Sequence, residues 1–178
     1  PDEANRKAVQ DFIATHGVQA WQAAISSGQH EFADGLFYGG RAPTWSNTTL
    51  RAVLTKHVGH AQRIAWIDLH TGLGPSGVGE RIWAGRDSAP DVARARRWWG
   101  EKVTSIYDGS STSPLLTGLM WESVHDAAPQ AEYTGIALEY GTEPITEVLD
   151  ALRGDHWLAL HPDAPAALAE SIKARVLR

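Results

Sequence analysis

Two apolar segments constrain the fold most, because each ends in an ionisable residue just before the chain turns near a glycine. The first covers residues 63–70 and ends in His70, and the second covers residues 133–139 and ends in Glu139. Their nearly continuous apolar character predicts buried strands, the first of them in a central position covered on both faces. Because ligands of open α/β sheets collect at the carboxyl ends of the strands, we expect His70 and Glu139 to converge there.

The rest of the sequence alternates between helical and strand patterns, which indicates an α/β layer fold. We predict a three-layer αβα architecture with a mixed central sheet, formed by a single domain over residues 1–178. A glycine-rich loop is expected at residues 73–79, followed by a short strand at residues 81–84. Five helical segments are predicted, the first of which covers residues 4–26 as one or two helices. The second is capped by Ser46 or Asn47, and the third begins at Ser88. The fourth runs from its cap Thr142 to Gly154, and the last begins at Asp163.

Composition excludes several classes of function. The chain has 16 Lys and Arg against 21 Asp and Glu, a net charge of -5, which argues against binding of a nucleic-acid backbone. No apolar run approaches the roughly 20 residues that a membrane span needs, so we expect no membrane partner. There is no cysteine, which excludes disulfides and thiolate metal sites. The first residues lack the pattern of a signal peptide, and we therefore expect a cytoplasmic protein.

The ionisable residues at the two strand ends form the candidate site. Asp68 and His70 share one face of their strand because side chains alternate with period two, so Asp68 is expected to hold and orient the His70 ring. Thr71, Tyr38 and Tyr140 are candidate substrate-side groups. In an alternative interpretation, these polar residues have a structural role and form hydrogen bonds with backbone groups of the loops. Their spacing alone does not decide between a functional and a structural role.

Arginines and glycines supply further candidates. Arg41, Arg81 and Arg86 are equal candidates for binding a substrate carboxylate, since arginine does so through two parallel hydrogen bonds. Residues 72–77 match the Gly-x-Gly-x-x-Gly spacing of a dinucleotide-binding turn. A true site of that kind leads directly into a helix, whereas here a strand is predicted next, so no dinucleotide cofactor is expected.

His57 and His60 have the spacing of two metal ligands on one helix. His57 continues the apolar face of its predicted helix, and Gly59 is expected to end that helix. We therefore predict a core histidine at position 57 and a capping role for His60.

Four segments resemble the zinc carboxypeptidase superfamily. Residues 68–75 read Asp-Leu-His-Thr-Gly-Leu-Gly-Pro, and residues 137–142 read Ala-Leu-Glu-Tyr-Gly-Thr. Residues 35–40, Gly-Leu-Phe-Tyr-Gly-Gly, and residues 42–47, Ala-Pro-Thr-Trp-Ser-Asn, are similar as well. The resemblance runs over most of the chain, from residue 29 to residue 157. Its closest branch is the domain-of-unknown-function 2817 family, near the succinylglutamate desuccinylases and aspartoacylases.

The resemblance implies a zinc carboxypeptidase-like fold, also described as phosphorylase/hydrolase-like, and zinc-dependent hydrolysis of an amide bond. By resemblance, His70 is the third zinc ligand and Glu139 is the general base that activates water. The implied substrate is a small peptide or an acyl amino acid. These residue types suit the chemistry, because zinc makes water more acidic and a nearby carboxylate can take its proton.

The sequence lacks the other zinc ligands of the superfamily pattern. Those ligands come from a His-x-x-Glu motif, and none occurs in these 178 residues. Because catalytic zinc needs about three protein ligands, we expect a chain that is incomplete at its amino side, binds zinc weakly or not at all and is inactive alone. An exposed strand edge or apolar face would then favour homo-oligomers. The alternative is a non-catalytic binding module on the same fold with a degenerate metal site.

Overall fold

The computed structural model describes residues 3–176 and divides the chain into two compact units. One unit contains the chain up to Gly39 together with the segment that begins at Thr142, and the other runs from Gly40 to Gly141. In the described residues the fold is mixed α/β, with one three-stranded mixed sheet and seven helices. The predicted α/β class with a mixed sheet is therefore confirmed. The three-layer, carboxypeptidase-like arrangement and the single domain stay predictions.

Ten helices and strands follow one another along the described residues. They are α1 (Glu3–His16), α2 (Val18–Ser26), α3 (Trp45–Val58), β1 (Arg63–Ser76), β2 (Gly79–Trp83), α4 (Ala89–Trp99), α5 (Glu122–Ala127), β3 (Glu132–Gly141), α6 (Ile145–Leu160) and α7 (Ala166–Val176). None of the helices in this described part combines the length and the apolar character that a membrane crossing requires.

The first unit is helical and contains two helix pairs, α1 with α2 and α6 with α7. The first pair separates at Gly17, whose φ of 86° belongs to the left-handed region that favours glycine. The prediction that Gly154 ends its helix is wrong, because α6 continues to Leu160. A Cβ atom at position 154 would lie 3.0 Å from Cγ2 of Ile172 in α7, so glycine here permits close helix packing.

Some predicted helix starts are also corrected. The N-cap position of α6 is Pro144, without a capping side-chain hydrogen bond, rather than Thr142, and α7 begins three residues after Asp163. In the second unit, α4 starts after Ser88 as predicted. Helix α3 is capped by Thr44, whose hydroxyl accepts a hydrogen bond from the backbone N–H of Asn47 at 3.3 Å, and not by Ser46 or Asn47.

The sheet of the second unit has the order β1-β3-β2. Strands β1 and β3 run parallel and in register from Arg63 opposite Glu132 to Gly72 opposite Gly141, while β2 pairs antiparallel with β3. The central strand is therefore β3. It is the most deeply buried of the three, with Thr134 and Ile136 only 0% and 2% exposed.

The predicted central position of the first strand is wrong. Strand β1 lies at an edge of the described sheet, and Ile67 and Leu69 are 52% and 73% exposed. The predicted loop at residues 73–79 is also corrected in part, because β1 continues to Ser76 across a register shift. The chain then crosses the end of β3, where Gly77 N–H donates to the Gly141 carbonyl at 2.9 Å.

The core of the second unit lies between the sheet and helices α3, α4 and α5. Its buried members include Leu54, Ile64, Trp83, Trp121 and Val124. In α3 the packed residues are Leu50, Leu54 and Val58, spaced by four, which leaves His57 exposed. The predicted core position of His57 is therefore wrong.

Candidate functional site

The parallel register of β1 and β3 places His70 directly opposite Glu139. Opposite residues of neighbouring strands point to the same face of the sheet, so the two side chains meet. The Nδ1 atom of His70 lies 3.5 Å from Oε2 of Glu139. The convergence of the two strand ends, expected from sequence, is present in the structure.

The other ring nitrogen of His70 is held by Asp68. Nε2 lies 3.0 Å from Oδ2 of Asp68, two residues earlier on the same strand face. With one ring nitrogen paired to Asp68, the ring is fixed so that its second nitrogen faces Glu139. The contact has the geometry expected of Asp68 from sequence, and its role in orienting a metal-bound His70 stays a prediction.

The accessible part of the site is His70 rather than Glu139. Glu139 is only 6% exposed, whereas the His70 side chain is 46% exposed. The buried carboxylate accepts a further hydrogen bond at Oε1 from the backbone N–H of Leu73, at 3.0 Å. Burial of a charge is costly unless it is paired and hydrogen-bonded, and Glu139 has both kinds of partner.

The two carboxylates favour a charged imidazole. The hydrogen bond with Glu139, and to a smaller extent the contact with Asp68, outweigh partial burial and raise the pKa of His70 from 6.5 to about 9. Burial alone would raise the pKa of Glu139. The hydrogen bonds from His70 and from Leu73 N–H outweigh it, so the pKa of Glu139 lies below its ordinary value. Near neutral pH, Glu139 is therefore a carboxylate and His70 carries a proton on each ring nitrogen.

The donor set fits one position of a zinc site. The imidazole of His70 is a suitable ligand once it is neutral, and Asp68 holds it as metal-binding histidines are commonly held. However, Asp68 and Glu139 surround the His70 ring rather than a common point. Among residues 3–176, no group of three or more His, Asp or Glu side chains is placed to hold a metal ion. The described side chains therefore do not complete a zinc site.

Glu80 is a residue of the site that the sequence analysis missed. It stands opposite Glu139 in the antiparallel pairing of β2 with β3, so His70, Glu139 and Glu80 form one row across the sheet. Its carboxylate accepts hydrogen bonds from the Thr104 hydroxyl at 2.5 Å and from the Thr112 N–H at 3.2 Å, and also from the Thr112 hydroxyl. Through these hydrogen bonds, Glu80 holds both ends of the segment 104–112 next to β2.

A comparison with protein-family models decides the relationship of this chain to known proteins. The model described as "Protein of unknown function (DUF2817)" matches residues 1–178. The chain belongs to the DUF2817 family. The branch that the sequence segments indicated is therefore confirmed, whereas membership of a zinc carboxypeptidase superfamily stays a prediction. A search of curated proteins gave no match, and a search of solved structures gave none either.

In this DUF2817 chain, two of the predicted substrate-side residues lie on the other face of the sheet from the His70–Glu139 pair. Thr71 and Tyr140 form the next register pair, and alternation sends their side chains to the opposite face of the sheet. Tyr38 belongs to the other compact unit, where it forms a bridge with Gln29. The substrate-side roles of these three residues stay predictions, which the strand register does not favour for Thr71 and Tyr140.

The arginine candidates of the DUF2817 chain differ in their surroundings. Arg81 stands opposite Leu138 in the strand pairing, and its guanidinium donates to the Trp99 carbonyl at 2.6 Å, at the end of α4. That contact gives Arg81 a structural partner. Arg41, Arg81 and Arg86 all stay predictions as partners of a substrate carboxylate.

Proposed function

We propose that this chain carries part of the active site of a zinc-dependent hydrolase that cleaves an amide bond in a small peptide or an acyl amino acid. The observation that carries the proposal is the approach of His70 Nδ1 to Glu139 Oε2 at 3.5 Å. The resemblance of the segments around both residues to zinc carboxypeptidases supports it. A cytoplasmic location and the absence of a nucleic-acid partner stay predictions.

Glu139 has the properties of a general base. It is ionised near neutral pH because its pKa lies below the ordinary value, and its carboxylate is held in place through Oε1 by Leu73 N–H. Oε2 can then accept a proton from a water molecule that attacks the amide carbonyl. The same atom can deliver that proton to the leaving amine, so one carboxylate serves both steps.

His70 is assigned to the metal. The Nε2–H group of His70 donates a hydrogen bond to Asp68, which leaves Nδ1 as the nitrogen for a cation. That nitrogen must lose its proton first, since a metal ligand is neutral imidazole. When bound, zinc supplies Lewis acidity, which polarises an amide carbonyl and makes water more acidic.

One observation favours a second candidate function. No described group of three ligand side chains is placed to hold a metal ion, and both nitrogens of His70 already face carboxylates. A non-catalytic binding module with a degenerate metal site would have these properties. The two candidates differ in metal content, since the binding module predicts no tightly bound zinc.

The proposed function is tested by amide hydrolysis in the complete gene product that contains this chain, purified and supplied with zinc. Short peptides and N-acyl amino acids serve as substrates, and release of the free amine is measured. Glu139→Gln should lower turnover at least about 10²-fold, because the amide cannot accept the proton of water. The exposed residue Glu101 supplies a matched control, and Glu101→Gln should leave turnover unchanged. Equal turnover in Glu139→Gln and in the unaltered protein contradicts the proposal.

A further inference from the structure

The first unit contains a cavity of about 550 Å³, formed by α1, α2, the segment after α2 and the start of α6. This volume lies in the range of roughly 300–1,000 Å³ that is usual for small-molecule sites. All of the lining residues belong to the helical unit, and none of them is a member of the row of His70, Glu139 and Glu80.

The walls of the cavity are mainly apolar. Side chains from four segments line it, among them Val9, Ile13, Trp21, Ile25 and Leu149. Trp21 and Leu149 are themselves buried, at 7% and 8% exposed, so they are packed against the rest of the protein. An apolar chain placed there would be removed from water at each of these contacts, which favours binding in proportion to the area buried.

Phe37 adds a strained element to the same wall. Its φ is 58°, a left-handed value that is unfavourable for a bulky residue, and no other non-glycine residue in the described chain has a positive φ. The Phe37 carbonyl accepts a hydrogen bond from Gln29 N–H at 3.1 Å, which fixes this conformation. Phe37 lines the cavity and stays 41% exposed. Such strain persists where the surrounding structure imposes it, and it is concentrated at ligand sites.

One side of the cavity carries an excess of positive charge. Arg6 Nε and Arg153 Nη1 each lie 4.0 Å from the carboxylate of Asp150, so one carboxylate is shared by two guanidinium groups. Glu147, the other acidic lining residue, pairs with Arg175 at 3.4 Å. The Arg6–Asp150–Arg153 cluster therefore keeps one net positive charge beside an apolar cavity.

From these features we propose that the cavity binds an amphiphilic monocarboxylate, with its apolar chain against Trp21 and Phe37 and its carboxylate on the Arg6–Asp150–Arg153 cluster. Arginine binds carboxylates through charge-assisted hydrogen bonds, which supply the polar end of the site. The proposal is independent of hydrolysis at Glu139.

Decanoate is the probe for this site, with decanol and decylamine as neutral and cationic ligands of the same chain length. Binding is measured through tryptophan fluorescence and by calorimetry on the purified protein. Decanoate should bind at least about tenfold more tightly than decanol, and decylamine should bind most weakly. Equal affinity for decanoate and decanol overturns the proposal, as does the absence of saturable binding.

Variants locate the site. Arg6→Gln and Arg153→Gln should each weaken decanoate about tenfold while leaving decanol unchanged, and Arg6 is 60% exposed, so its replacement leaves the fold intact. Arg51→Gln, in the other unit, is the matched control and should have no effect. Trp21→Phe should abolish the fluorescence change, whereas Trp98→Phe should retain it. An unchanged decanoate affinity in Arg6→Gln, or a fluorescence change that survives in Trp21→Phe, overturns the assignment.

Discussion

Nδ1 of His70 lies 3.5 Å from Oε2 of Glu139, while Nε2 of the same ring lies 3.0 Å from Oδ2 of Asp68. The imidazole therefore bridges two carboxylates that belong to neighbouring parallel strands and the same sheet face. This arrangement joins the ends of β1 and β3 through side chains as well as through the backbone. The free energy of unfolding and the binding of a metal ion should therefore depend on the protonation of this ring.

The stability of the metal-free protein should depend on the protonation of His70. Because its pKa is raised from 6.5 to about 9 in the folded state, the protonated ring stabilises the fold fully below about pH 6.5. That contribution decreases as pH rises and is lost above about 9. Urea unfolding with a chelator present, compared with His70→Gln, should show a stability difference that shrinks across this window. A difference that is constant with pH would contradict the assignment.

Glu80 should keep residues 104–112 ordered beside the site. Glu80→Ala removes the acceptor of the Thr104 and Thr112 hydrogen bonds, and hydrogen bonds to a charged group contribute about 1.5–3 kcal/mol. Hydrogen exchange measured by mass spectrometry should therefore become faster in this segment. Glu101→Ala, at an exposed position, is the control. Equal hydrogen-exchange rates of residues 104–112 in both variants would show that Glu80 does not order this segment.

Gly141 should not tolerate a side chain. Where the chain crosses the end of β3, a Cβ atom at this position would collide with the carbonyl oxygens of Pro75 and Gly74. Because these are backbone atoms, Gly141→Ala should lower the free energy of unfolding by about 3 kcal/mol. Gly109 has a φ of 75° and open space around its Cα, so Gly109→Ala should cost only about 1 kcal/mol. Equal losses in the two variants would rule out the collision.

The exposed face and edge of β1 should promote self-association. Ile67 and Leu69 are 52% and 73% exposed on a strand that lies at an edge of the described sheet. Light scattering should show an apparent mass that rises with concentration, and the double substitution Ile67→Lys with Leu69→Lys should abolish the rise. Leu115→Lys, at a position 62% exposed outside the strands, is the control. A monomer at all concentrations would count against this prediction.

The candidate pair could be predicted from sequence because its signals are local. An apolar run that ends in His70, and another that ends in Glu139, each indicate a strand with a polar end, and strand ends of a parallel sheet meet at one edge. The alternation that places Asp68 on the face of His70 is equally local. The pairing of β1 with β3, their register and the distances between the side chains required the structure.

The order of the strands could not be predicted, because it depends on pairing between segments that are far apart in the sequence. Strand β1 was expected in the centre because its sequence is apolar, yet strand order depends on which segments pair, and Ile67 and Leu69 are exposed. Glu80 was missed because the predicted strand began at residue 81, two residues after the observed start at Gly79. The available signal was a carboxylate two positions before the apolar residues 82–84.

The most direct test of the account is the zinc content of the complete gene product that contains this chain, and of its variants, measured by elemental analysis after dialysis. We expect about one zinc ion per molecule in the unaltered protein, loss of that zinc in His70→Gln, and retention in Glu139→Gln, whose residue acts as a base. His57→Gln, at an exposed helical position, should retain zinc as the control. Zinc that is absent from the unaltered protein, or that persists in His70→Gln, would contradict the assignment of His70 as a metal ligand.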